Sequence, residues 1–111
     1  MDRGLRSCGA VLAAAAVALS AYASHAAEGD RTRLFMAAVL AFGHGVALVA
    51  MPASASRLAR TASLALLLGS LLFAGSLVAA HFAGASTRLA PFGGTLMIAG
   101  WLLHAAAAWR R

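Results

Sequence analysis

Four long stretches of the chain carry no Asp, Glu, Lys or Arg: about Cys8 to Ala27, Leu34 to Met51, about Ala62 to Ala83, and about Leu89 to Trp109. A helix crosses the hydrocarbon core of a bilayer with about 20 apolar residues, within a range of about 17–25, and each stretch meets that length. The chain has 111 residues, 62% hydrophobic and 11% charged, whereas soluble domains are nearer half apolar and a quarter charged. So short a chain cannot bury so much apolar surface within itself, and the solvent around it must be lipid. A soluble enzyme, a DNA-binding module and a disordered tail are thereby set aside. Three short connectors, Glu28–Arg33, Pro52–Thr61 and Gly84–Arg88, make successive helices antiparallel neighbours. The expected fold is all-α: one integral membrane domain over residues 1–111, a bundle of four antiparallel transmembrane helices.

The stretches differ in strength. The third holds ten Leu, Val and Phe residues, among them Leu66, Leu67, Leu71, Phe73 and Leu77. At about −0.3 to −0.6 kcal/mol each, these favour insertion by roughly 3 to 6 kcal/mol. The first holds Val11, Leu12, Val17 and Leu19 within an alanine background, so its residence in the membrane should lean on partner helices. Arg3 and Arg6 before it and Ser24-His25-Ala26 after it also fit a cleaved secretory signal.

The formal charge is +6, from nine arginines against Asp2, Glu28 and Asp30. Such basicity suggests nucleic acid when it forms a stripe; here the arginines stand singly or in pairs between apolar runs, as membrane flanks do. Arg3, Arg6, Arg57, Arg60, Arg110 and Arg111 fall on one side of a four-span chain, and Arg31, Arg33 and Arg88 on the other. The positive-inside rule then places both termini in the cytoplasm, with Trp109 and Tyr22 as interfacial anchors. The one cysteine, Cys8, cannot form an internal disulfide and reads as a small apolar filler, not a reactive thiol.

Several strings resemble one small membrane family. Leu72-Phe73-Ala74-Gly75-Ser76-Leu77, Ala90-Pro91-Phe92-Gly93-Gly94 and Ala99-Gly100-Trp101 are similar to the LFSGSLY, TPxGG and AGW motifs of the domain-of-unknown-function 423 family. That family takes in YgdD-type bacterial inner-membrane proteins and animal transmembrane protein 256-like proteins. Ser20-Ala21-Tyr22-Ala23-Ser24-His25 stands where the family has GAFGAH, and Leu40-Ala41-Phe42-Gly43-His44 where it has Tyr-Gln-x-Phe-His. Two motif glycines and the Tyr-Gln pair are thus replaced, and the first connector is shorter. The resemblance implies a multi-pass inner-membrane protein without an established reaction. It also implies that the segment ending in His25 is a retained spanning helix. The family-motif positions are His25, His44, Phe73, Gly75, Ser76, Pro91, Gly93, Gly94, Gly100 and Trp101.

Read physically, most of these positions suggest packing. Ala65 with Gly69, Gly75 with Ala79 and Ala83, and Ser76 with Ala80 and Gly84 recur at four-residue spacing, which permits close helix approach in lipid. Ser76 can bond its own helix or a neighbour; the spans hold no acid to support a catalytic serine. Pro91 suits a first helical turn. Gly93 and Gly94 allow another backbone close or let the turn into the helix bend, and no P-loop lysine accompanies them. Trp101, near mid-span, should face a neighbouring helix, with Gly100 making room around the ring.

The four histidines are the ionisable groups inside or bordering the spans, and such groups raise a functional hypothesis. His44 lies about 15 Å from one end of its run and His104 about 20 Å from the same end of its own, at 1.5 Å per residue. His25 and His81 fall near the ends of the first and third runs. They read as neutral hydrogen-bonding groups, as proton-sensitive groups, or as a metal or haem pair. Two histidines alone make a poor closed metal site, so no metal and no cofactor is expected. The expected role is a structural or accessory component, not an enzyme, packing against itself or a larger membrane complex. The alternative is a minimal transporter or channel subunit with His25 and His44 along a polar path.

Overall fold

The computed structural model describes residues 2–51 and 56–110. Pro52 to Ala55, within the second connector, and Arg111, one of the six arginines counted on one side, lie outside the described residues. Among the described residues four helices follow one another: α1, Asp2–Ala23; α2, Glu28–Ala50; α3, Arg57–Ala83; and α4, Ala90–Trp109. All four are long and apolar enough to cross a membrane. This is the all-α, four-helix bundle that the apolar runs predict.

The helices run beyond the apolar stretches wherever the polar flank can sustain helical hydrogen bonding. α2 begins at Glu28 and carries Glu28 and Asp30 in its first turn, where carboxylates oppose the positive end of the helix dipole. α3 begins at Arg57, five residues before its apolar run, because the Ser56 side chain accepts from the Ala59 amide at 3.1 Å and caps the orphan donors. α1 does the reverse at its end. It stops at Ala23, and the His25 amide turns back to the Tyr22 carbonyl at 3.0 Å. His25 therefore lies in the turn, outside the first spanning helix. α3 ends on Gly84 in the left-handed region, φ 66°, whose amide bonds the Ala79 carbonyl; only glycine takes that conformation without cost.

α1 packs on α2 and α3 on α4 most extensively, and α2 joins the two hairpins through α3. α1 meets α3 only lightly. α2 and α3 are accordingly the central helices, with 39% and 44% of their apolar windows buried against 17% for α1 and α4. The core is made of small side chains. Ala23, Ala37, Ala38, Ala62 and Ser70 are buried, and among the described residues only Leu34, Leu48 and Leu66 are large and fully enclosed. Val11, Val39, Leu68, Phe92, Ile98 and Leu102 point outward. In water such a surface would be a liability; toward lipid it is the expected exterior.

The close contacts sit at glycines. A Cβ on Gly9 would meet the Gly45 carbonyl oxygen at 2.7 Å, and one on Gly45 the Gly9 carbonyl oxygen at 2.6 Å. In the second hairpin a Cβ on Gly69 would lie 2.8 Å from the Gly93 carbonyl oxygen, and one on Gly93 would run into the Phe73 backbone. Between lipid-solvated helices this dispersion contact carries the association, because burying leucine from lipid brings no hydrophobic gain.

Candidate functional site

Two polar clusters stand out, one deep in the bundle and one at the end where the helix-to-helix turns lie. The deep cluster is centred on His44 of α2, which is buried. Its Nδ1–H donates to the Leu40 carbonyl at 2.7 Å, the carbonyl one turn earlier. Its Nε2 accepts from the Trp101 indole Nε1–H at 3.0 Å. Indole nitrogen is a donor only, so the ring must present a bare Nε2 and carry its proton on Nδ1. On the other side of Trp101 lies His104, ring centroids 5.9 Å apart, with its Nε2 3.3 Å from the Ser63 hydroxyl of α3. His44 and His104 do reach similar depth. Trp101 stands against both rings, and both nitrogens of His44 are engaged, so the pair is not arranged as axial ligands.

The end cluster joins three helices. Tyr22, in the last turn of α1, places its hydroxyl 3.0 Å from His81 Nε2 on α3. Asp30 of α2 places Oδ2 3.4 Å from His81 Nδ1. A neutral His81 ring with Nδ1–H toward the carboxylate leaves Nε2 to accept from the phenol. A doubly protonated ring also satisfies both neighbours, because the phenol oxygen can accept. Phe82 covers the group, its ring 5.1 Å from Tyr22 and 4.6 Å from His81. From the sequence Tyr22 reads as an interfacial anchor; the structure adds its contact with His81. The signal was present: antiparallel alternation brings the end of α1, the start of α2 and the end of α3 to one side.

The remaining motif positions divide between packing and exposure. Pro91 lies in the first turn of α4, as expected. Gly93 admits the α3 backbone, while a Cβ on Gly94 or on Gly75 would meet nothing within 4 Å. Phe73 is partly buried against the core. Gly100 faces Leu66 and the Ala62 carbonyl of α3, so its missing side chain accommodates α3 and not the Trp101 ring. Trp101 is 44% exposed, with its indole N–H turned toward α2. Ser76 is buried, but its hydroxyl has no hydrogen-bond partner, contrary to the expected bond within its helix or to a neighbour. Its small size admits it among the core alanines. His25 is exposed in its turn. About 24 Å of helix separates the start of α2 from the level of His44, so the two histidines do not meet. Among the described residues no group of three His, Cys, Asp or Glu side chains is placed to hold a metal ion.

A family model described as protein of unknown function (DUF423) matches residues 19–94. The chain belongs to the DUF423 family. No curated protein and no solved structure matches the chain. Within this DUF423 chain the matched stretch holds the entire end cluster, His44 and the Gly69–Gly93 contact. Gly9, Gly100, Trp101 and His104 fall outside it. The family match and the four apolar helices together make this a membrane protein.

Proposed function

We propose that the chain is a small structural or accessory component of a bacterial inner membrane, packing in the bilayer against a second copy or a larger membrane complex and catalysing no reaction. The observation that carries this reading is the saturation of His44. Its two nitrogens are engaged by Leu40 and Trp101, so this buried histidine acts as a tie between α2 and α4. A minimal transporter would need His25 and His44 on one polar path, and the turn position of His25 gives that reading no support. The outward positions suit association in lipid: Gly43 and Gly75 are exposed mid-helix beside Phe42 and Leu71, leaving flat ground between large side chains. The arginine distribution supports cytoplasmic termini.

Cross-linking in native membranes followed by purification of the full chain tests the role. A stable complex, with itself or with other membrane proteins, is the expected result. A lone monomer that carries protons across vesicle membranes would overturn it. A reporter fused after Arg111 should be active only in the cytoplasm.

A further inference from the structure

Because α1 and α3 touch only lightly, an apolar groove remains between them on the half of the bundle nearer the termini. Its walls are Cys8, Val11 and Ala15 of α1 and Leu67 and Leu71 of α3, with Ser7 at the end toward the termini, and it encloses about 410 Å³. From Ser7 to Ala15 the groove follows eight residues of helix, about 12 Å. One leaflet of the hydrocarbon core is about 15 Å deep, half of the full 30 Å. A partner helix would call for a seam through both leaflets; this groove serves one leaflet.

Charge distinguishes its terminal end. Arg60 lies seven residues before Leu67, hence two turns away on the same face of α3, and Arg57 lies one turn further. Arg3 lies one turn before Ser7 on α1. Gly4, between them, leaves open space where a side chain would stand. Arg3 and Arg57 are both exposed at this end of the bundle, and their guanidinium groups match phosphate oxygens in geometry and charge.

We propose that this groove binds one acyl chain of an anionic glycerophospholipid, with the lipid phosphate held by Arg3 and Arg57. Cationic side chains on both walls select the charge of the headgroup, and the nearly all-apolar lining accepts a single chain lengthwise. The site lies away from both histidine clusters and does not depend on the proposed accessory role.

Native mass spectrometry of the full chain in mild detergent, supplemented with phosphatidylglycerol or phosphatidylcholine of equal chain length, tests the site. One phosphatidylglycerol should be retained at least about fivefold over phosphatidylcholine, the selectivity that one basic residue near a charged headgroup supplies. Ala15→Phe, which fills the groove from an exposed position, should remove the adduct while leaving helix content unchanged. Val11→Trp provides a second filling variant. Arg3→Gln combined with Arg57→Gln should bring the two lipids to near parity. Equal retention of both lipids by the unaltered chain would overturn the proposal, as would a phosphatidylglycerol adduct that survives both filling variants. A dimer that the filling variants dissociate would assign the groove to a second copy and overturn it equally.

Discussion

Within the α1–α2 and α3–α4 hairpins the helices approach at glycine pairs, Gly9 with Gly45 and Gly69 with Gly93. Between the hairpins, α2–α3 packing is supplemented by polar side chains: His44 with Trp101 across α2 and α4, Tyr22 with His81 across α1 and α3, and Asp30 with His81 across α2 and α3. The difference follows from the solvent. Lipid gives no hydrophobic reward for joining two helices, so close contact along one hairpin depends on removing side chains. A hydrogen bond needs no such approach, since a long indole or phenol reaches across a gap. α1 and α4 lie at the margins of the bundle, and Tyr22 and Trp101 are the side chains by which they reach helices outside their own hairpin.

The contrast can be broken from the hairpin side first. Gly93→Leu drives a side chain into the Phe73 backbone and should destabilise the fold by about 3 kcal/mol, the upper range for overpacking. Gly9→Leu should act similarly on the first hairpin. Thermal unfolding in detergent micelles checks both, and a variant as stable as the original would refute the tight crossing. Next in size, Trp101→Phe keeps the ring but leaves His44 Nε2 without its donor. The expected cost is about 1 kcal/mol, in the range for hydrogen bonds between membrane helices. A chemical-denaturation midpoint that does not move would mean the bond is absent or exchanged for water. Tyr22→Phe should cost less, about 0.5 kcal/mol, because the half-exposed phenol can be replaced by solvent at His81. An effect larger than that of Trp101→Phe would reverse the ranking of the two ties. Smallest of all, Gly75→Leu places its side chain in open space and should change stability by no more than about 0.5 kcal/mol. Any loss of native-membrane cross-links with stability intact would locate an association face at Gly75.

The architecture was legible because apolar runs of spanning length and short connectors leave few alternatives. The role of Gly93 was legible in part: a glycine pair after Pro91 signals close approach, but the sequence does not say which of Gly93 and Gly94 faces inward. A rotation of 100° per residue decides it. Gly9 and Gly45 carry no motif, since a lone glycine in an alanine-rich helix has no distinctive spacing. The depth of His44 and His104 followed from helical rise, whereas their separation by Trp101 depended on side-chain rotamers that no pattern encodes. Gly100 faces α3 and not the Trp101 ring for a related reason: adjacent residues on a helix point about 100° apart, so a gap beside Trp101 in sequence opens onto a different helix. His25 left the first span because the chain turns at Ser24, where the hydroxyl donates to the Ala21 carbonyl at 2.7 Å and helps close the helix end.

His44 is a structural tie held in one tautomer by the Trp101 indole N–H. Nitrogen-15 NMR of the full chain in bicelles, with histidine and tryptophan labelled, addresses it directly. The expected spectrum shows a proton on His44 Nδ1, a bare Nε2, and a coupling across the hydrogen bond from the Trp101 indole N–H. A His44 ring protonated at Nε2, or an indole proton that exchanges freely with water, would contradict it.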